Sequence, residues 1–155
     1  MNLIVNLATL TKSASGTVWG EVYFEHQGGF FPGRKWTDMV IPFLTAWLKA
    51  IATVGKELAP KSEAWFMDGP FLVKLSLLNR TTAVMKGFRD ANSGLILEAS
   101  SSLPLHELLA AALATGRTVE ALCEEKGWRG DRDILLMKRA LSECQQLLDA
   151  KVGNA

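Results

Sequence analysis

Few side chains in this sequence of 155 residues could perform acid–base chemistry together. The best combination is His26 with Glu25, Asp38 and Asp68, because an imidazole beside carboxylates can transfer protons. All four lie near predicted turns or element ends, where functional groups are common. Structural roles also explain them, since Asp38 can cap a helix and Asp68 suits an Asp-Gly turn. They support an alternative function, a small-ligand-binding protein or enzyme with a pocket near His26, Asp38 and Asp68.

The usual catalytic and metal-binding motifs are missing from the sequence. It contains no nucleophile elbow, Walker loop, dinucleotide-binding fingerprint or zinc-protease motif. Cys123 and Cys144 are the only cysteines, and they form no CxxC pair and have no histidine at ligand spacing. We therefore expect buried thiols, no metal, no cofactor and no catalytic residue, which makes an enzyme the less favoured class.

A second group of side chains suits recognition of a partner. Trp19, Glu21, Tyr23 and Glu25 share one face of a predicted strand, and aromatic residues are enriched at binding hot spots. If the helices leave this face uncovered, it is an interface, and if they cover it, it is core. We expect Trp19 to be the most exposed tryptophan. The predicted partner-binding residues are Trp19, Glu21, Tyr23, Glu25 and, in the following loop, Arg34.

Composition and charge narrow the classes of partner. The hydrophobic content of 48% with 21% charged residues indicates one globular domain over residues 1–155. A net charge of +1 favours neither nucleic acid nor an anionic membrane as a partner. The first residues lack the basic region of a secretory signal, and the longest uncharged piece of the predicted helix after Trp36, residues 39–48, is shorter than the ~18 residues that a membrane helix needs. We expect a cytoplasmic protein with a protein partner or self-association.

The hydrophobic period separates strands from helices along the chain. Alternation of apolar and polar residues at positions 3–7 and 18–25 predicts a β-hairpin around a turn at residues 12–16. Apolar residues every three or four positions from Val40 to Val54 predict a long helix that Thr37 or Asp38 caps and Gly55 ends.

The second half of the chain is predicted to add four strands and two helices. Residues 64–67, 71–78, 81–88 and 95–99 form an antiparallel meander, with Asp68-Gly69 as a type I′ turn. Two helices follow, one from Leu105 to Gly127 and one from near Asp131, and residues 151–155 fray. The predicted fold class is α+β: an antiparallel sheet of about six strands, a hairpin plus a four-stranded meander, with a long central helix and two C-terminal helices.

Several short motifs give the chain a family resemblance. They are an FP turn at Phe31-Pro32, W-x-D at Trp36-Thr37-Asp38, and F-M-D-G-P at residues 66–70. Together with a W-L pair in the apolar helix and a G-W pair before the last helix, these motifs resemble a group of small, uncharacterised bacterial single-domain proteins. The resemblance runs over most of the chain and implies no established activity.

The favoured function is a non-catalytic protein-binding module. An immunity-type inhibitor of a bacterial toxin fits by class analogy, because such proteins are compact, cytoplasmic and free of catalytic motifs. Self-association is a further alternative, with the apolar surplus of the two C-terminal helices buried in a symmetric dimer.

Overall fold

The computed structural model describes residues 1–153 and confirms the α+β class, with three α-helices and two antiparallel sheets among these residues. The N-terminal sheet contains β1 (Asn2–Val5), β2 (Thr11–Lys12), β3 (Val18–His26), β4 (Gly29–Phe31) and β5 (Thr37–Met39). The C-terminal sheet contains β6 (Lys61–Trp65), β7 (Phe71–Asn79), β8 (Thr82–Ala91) and β9 (Gly94–Pro104). The helices are α1 (Val40–Gly55), α2 (Leu105–Glu125) and α3 (Arg132–Gly153).

The N-terminal sheet is built around β3, which pairs antiparallel with the four shorter strands. The predicted pairing of the first two strands is confirmed, because Leu3 lies opposite Phe24 and Val5 opposite Val22. The connection is longer than a hairpin turn, since a short 3-10 helix (Leu7–Thr9) and β2 lie between β1 and β3.

Helix α1 is the centre of the core. Most of its residues are buried around the whole helix circumference, because both sheets contact it on one side and α3 packs against it on the other. Phe24 of β3 meets Phe43 and Trp47 of α1 edge to face.

Helix α2 packs beside α3 and against β1, and its Gly116 lies where an added Cβ would be 2.5 Å from Leu141. Gly116 therefore permits close approach of α2 and α3.

The C-terminal sheet is the predicted meander, in the order β6-β7-β8-β9. Its side chains alternate between two faces. The inner face carries Ala64, Val73, Gly87 and Ala99, which lie side by side across the four strands and are buried against the core. The outer face carries Trp65, Leu72, Phe88 and Leu97 in the neighbouring row.

Three details of the prediction are wrong. The strands form two sheets instead of one six-stranded sheet. Helix α1 has Met39 at its N-cap without a side-chain cap, because Thr37 and Asp38 belong to β5. Of the Asp68-Gly69 pair only the glycine has a positive φ, +77°, so the connection from β6 to β7 is a five-residue loop (residues 66–70), hereafter the junction loop, and not a type I′ turn.

The C-terminal helix continues through residues 151–153, where fraying was predicted. The same prediction for residues 154 and 155 lies outside the described residues. Across residues 1–153, none of the helices combines the length and apolar character required to cross a membrane.

Candidate functional site

The four predicted partner-binding residues of β3 share the outer face of the N-terminal sheet. Val18, Gly20, Val22 and Phe24 are buried on the inner face, so alternation places Trp19, Glu21, Tyr23 and Glu25 on the opposite one. Cross-strand neighbours extend this face. They are Met39 opposite Trp19, Thr37 opposite Glu21, Ile4 opposite Tyr23 and Phe30 opposite Glu25. We call this surface the β3 outer face.

Arg34, the fifth predicted residue, joins the β3 outer face through Phe30. The Tyr23 and Phe30 rings meet edge to face, 5.7 Å between centroids, and the Arg34 guanidinium carbon lies 5.6 Å from the Phe30 ring centroid. Asn6 donates a hydrogen bond to the Glu21 carboxylate at 2.9 Å. The sequence-predicted group is therefore one surface with aromatic rings, two carboxylates and one cation.

The exposure of the tryptophans differs from the prediction. Trp19 is half-buried, whereas Trp65 is 39% exposed and is the most exposed of the five tryptophans. Trp65 lies on the outer face of the C-terminal sheet, where its indole nitrogen donates to Glu63 at 2.9 Å. Leu72 beside it is fully buried but outside the main core cluster, because its neighbours Trp65 and Phe88 flank it on the outer face.

Asp38 is buried and acts as an acceptor for backbone groups. Its carboxylate accepts hydrogen bonds from the backbone N–H of Met67 at 3.0 Å and of Asp68 at 3.1 Å, which belong to the junction loop. It also accepts from the Met39 backbone at 2.6 Å and from the Trp36 indole at 3.2 Å. Asp38 thus links the C-terminal sheet to the N-terminal sheet, and both of its carboxylate oxygens accept hydrogen bonds.

Aromatic packing reinforces this connection between the sheets. The Trp36 ring contacts Phe71, 5.0 Å between centroids, and lies where a Cβ on Gly69 would be 3.0 Å from it. Phe66 of the junction loop stacks on Phe43 of α1 at 4.1 Å. The W-x-D and F-M-D-G-P motifs therefore meet in space, and their contacts explain the motif residues as structural.

The alternative site near His26, Asp38 and Asp68 is not assembled in the structure. Asp38 pairs with Gly20 near the start of β3, whereas His26 ends that strand, roughly 20 Å away at the usual rise per residue. Asp68 contacts Asp38 through its backbone, and its side chain is exposed. An apolar cavity of about 100 Å³ between β1, α1 and α2 is lined by Leu3, Phe24, Trp47 and Leu108 among others, and by none of the three candidate residues.

The thiols are buried, as their spacing predicted. Cys144 donates to the backbone carbonyl of Leu48 at 3.3 Å, and burial raises the pKa of the Cys144 thiol to about 12. Burial also raises the pKa of Cys123. Within the described part of the chain, no three His, Cys, Asp or Glu side chains are grouped so that they could hold a metal ion.

Sequence reasoning missed the exposed apolar residues of the C-terminal sheet. Besides Trp65, these include the consecutive residues Leu95, Ile96 and Leu97 of β9. Three adjacent apolar residues break the alternation of a half-buried strand, and that break was the available signal.

No protein-family model, no curated protein and no solved structure matches this chain. The resemblance to small bacterial proteins therefore stays a prediction, and any function has to be argued from the surfaces described above.

Proposed function

We propose that this protein is a non-catalytic protein-binding module and that the β3 outer face binds its partner. The observation that supports the proposal is the row Trp19, Glu21, Tyr23 and Glu25 on the sheet face opposite the buried one. Residues of this row are half-buried or exposed, while α1 packs against the other side of the same strand.

The chemistry of the β3 outer face suits a partner with basic and apolar side chains. Tyr23 and Phe30 offer ring surface, and aromatic side chains provide large contact areas at low entropic cost. Glu21 and Glu25 supply negative charge, and Arg34 lies at the edge through its contact with Phe30. Opposite charge on the partner would direct docking and raise the association rate.

The finer proposal is that the partner is a bacterial toxin and this chain its immunity-type inhibitor. It depends on class analogy: a compact chain without catalytic motifs that offers an aromatic and acidic surface. An acidic surface would suit a toxin whose active site is basic.

Affinity capture tests the binding face. The intact protein serves as bait in a lysate of the organism that carries it, beside the double variant W19A/Y23A, with mass spectrometry as readout. We expect one stoichiometric protein with the intact bait and its loss with W19A/Y23A, since truncated hot-spot aromatics cost ~2 kcal/mol or more each.

The matched control is the double variant W65A/F88A. It removes a tryptophan and a second ring from the outer face of the C-terminal sheet and leaves the β3 outer face intact, so capture should persist. Thermal unfolding of both variants reports whether they are folded. Capture that survives W19A/Y23A, or that both folded variants lose equally, would contradict the proposed site.

A further inference from the structure

The edge strand β9 consists of two halves that differ in what covers them. In residues 99–104, Ala99 is buried, Leu103 lines the cavity beside Leu3, and Ser101 accepts a hydrogen bond from the Met1 amine at 2.8 Å. Residues 94–98, which we call the free half of β9, are all exposed. Within residues 1–153, β8 is the one strand that pairs with β9, so its other edge is open.

The free half of β9 is apolar on both faces. Leu95, Ile96 and Leu97 are 42%, 37% and 52% exposed. Leu95 and Leu97 point to the outer face and Ile96 to the opposite one, because strand residues alternate. In a strand that faces solvent on one side, the residues on the solvent side are usually polar.

The usual protections of an exposed edge are few here. Proteins discourage strand pairing at such edges with proline, lysine, bulges or inward charges. The free half contains no proline and no lysine. A register irregularity lies at its end, next to Glu98, and the Glu98 carboxylate is paired with Arg89 at 2.7 Å. The edge therefore offers both backbone and apolar side chains to an added strand.

We propose that the free half of β9 pairs antiparallel with the same segment of a second copy, about a two-fold axis at Ile96. This register places Ile96 opposite its own counterpart and Leu95 opposite Leu97 of the second copy, so each apolar side chain meets another. Glu98 faces Gly94, so no like charges are opposed. The result is a symmetric dimer with one eight-stranded sheet, a closed arrangement that uses the same patch twice.

The self-complementary register is the reason for choosing a second copy over another protein. Opposed residues of an antiparallel pair share a face, so the neighbouring two-fold registers have their axis at Leu95 or at Leu97. An axis at Leu95 would pair Ile96 with Gly94 and Leu97 with Ser93, and an axis at Leu97 would pair Ile96 with Glu98, so both leave Ile96 without an apolar neighbour. The segment is short beside the ~800 Å² per partner of a standard interface, so the dimer should depend on concentration. The β3 outer face lies on the other sheet, and the two proposals stand or fall separately.

A single cysteine at the axis tests the register. Residues directly opposite in an antiparallel pair have Cβ atoms ~5 Å apart, close to the ~4 Å of a disulfide. The variant Ile96→Cys should therefore form a covalent dimer under mild oxidation. The native thiols do not interfere, since Cys123 and Cys144 are buried.

The control for cross-linking is Leu58→Cys, because Leu58 is 73% exposed and lies just before β6, the strand at the opposite edge of the sheet from β9. We expect a covalent dimer from Ile96→Cys well above the level from Leu58→Cys. Equal amounts from the two variants would overturn the proposed register.

Sedimentation velocity over a wide concentration range tests the dimer without a cross-link. The intact protein should shift from monomer to dimer as concentration rises. Ile96→Lys opposes two ammonium groups across the axis and should weaken dimerisation about tenfold or more, whereas Leu58→Lys should not. Circular dichroism confirms that each variant is folded. An intact protein that is monomeric throughout, or a dimer that folded Ile96→Lys leaves unchanged, would overturn the proposal.

Discussion

The junction loop and the free half of β9 both carry backbone groups that the ladder of the C-terminal sheet leaves unpaired. In the junction loop, the N–H groups of Met67 and Asp68 find the Asp38 carboxylate of the other sheet, and Trp36 packs over Gly69. In the free half, the outer backbone edge and three apolar side chains have no partner strand within residues 1–153.

The two segments differ in whether their unpaired backbone groups find a hydrogen-bond acceptor or donor elsewhere in the molecule. A buried carboxylate that accepts several N–H groups is costly to desolvate, and the hydrogen bonds to it offset that cost. Asp38 does this for the junction loop, whereas the chain supplies nothing similar for β9. The junction loop should therefore lose stability when the Asp38 carboxylate is removed, whereas the free half of β9 is open to pairing with a second copy.

Removal of the Asp38 carboxylate should have the largest effect. Asp38→Ala leaves the Met67 and Asp68 N–H groups and the Trp36 indole without their acceptor, so we expect a loss of about 3 kcal/mol in the free energy of unfolding. Urea unfolding measures it. If the junction depends on the carboxylate, the variant should also loosen contact between the two sheets.

The matched control for this change is Asp68→Ala. Asp68 lies in the same loop, but its side chain is exposed and its backbone makes the contact with Asp38. We expect its effect to stay within about 0.5 kcal/mol. Equal losses for the two variants would show that the Asp38 carboxylate does not hold the junction loop.

The sequence was sufficient to predict most elements, because the period of the apolar residues changes between strands and helices. The meander and the long helix α1 follow from local alternation and spacing. The division into two sheets did not follow. It depends on contacts far apart in sequence, such as Phe31 with Phe66, 6.0 Å between ring centroids, which no local pattern encodes.

The candidate surface shows the same limit. Alternation along β3 predicted that Trp19, Glu21, Tyr23 and Glu25 share a face, and the structure brings Arg34 to it through Phe30. The role of Asp38 could not be predicted, because a carboxylate before an apolar helix has the pattern of a cap. Its N–H partners lie about 30 residues later, at Met67 and Asp68.

A smaller effect is expected where the inner faces of the two sheets meet. An added Cβ at Gly87 of β8 would lie 2.8 Å from the Phe31 ring of β4, so Gly87→Ala should cost about 2 kcal/mol through overpacking. Thermal and urea unfolding measure this loss. It would show that the junction depends on close packing as well as on the Asp38 hydrogen bonds.

Gly130→Ala is the control for Gly87→Ala, since a Cβ there meets nothing within 4 Å and its φ is not positive. A change within about 0.5 kcal/mol is expected. If Gly87→Ala is equally mild, then Phe31 can move aside and the two sheets are not closely packed at this contact.

The smallest predicted effect concerns another buried side chain that bonds to backbone, the Cys144 thiol of α3 on the Leu48 carbonyl of α1. Burial raises its pKa from 9.0 to about 12, so the unfolded chain releases this proton at lower pH than the folded one. Stability contributed by the thiol is therefore complete below about pH 9 and falls as the pH rises toward 12.

The comparison with Cys144→Ala isolates that contribution. Urea unfolding of both proteins at about pH 8 and about pH 10 should show the stability advantage of the intact protein shrinking by about 1 kcal/mol. The variant removes the titrating group, while Cys123, whose pKa is shifted in the same direction, is common to both proteins and cancels. A difference that stays constant between the two pH values would mean that water reaches the Cys144 thiol, and that the contact of α3 with α1 is as open as the free half of β9.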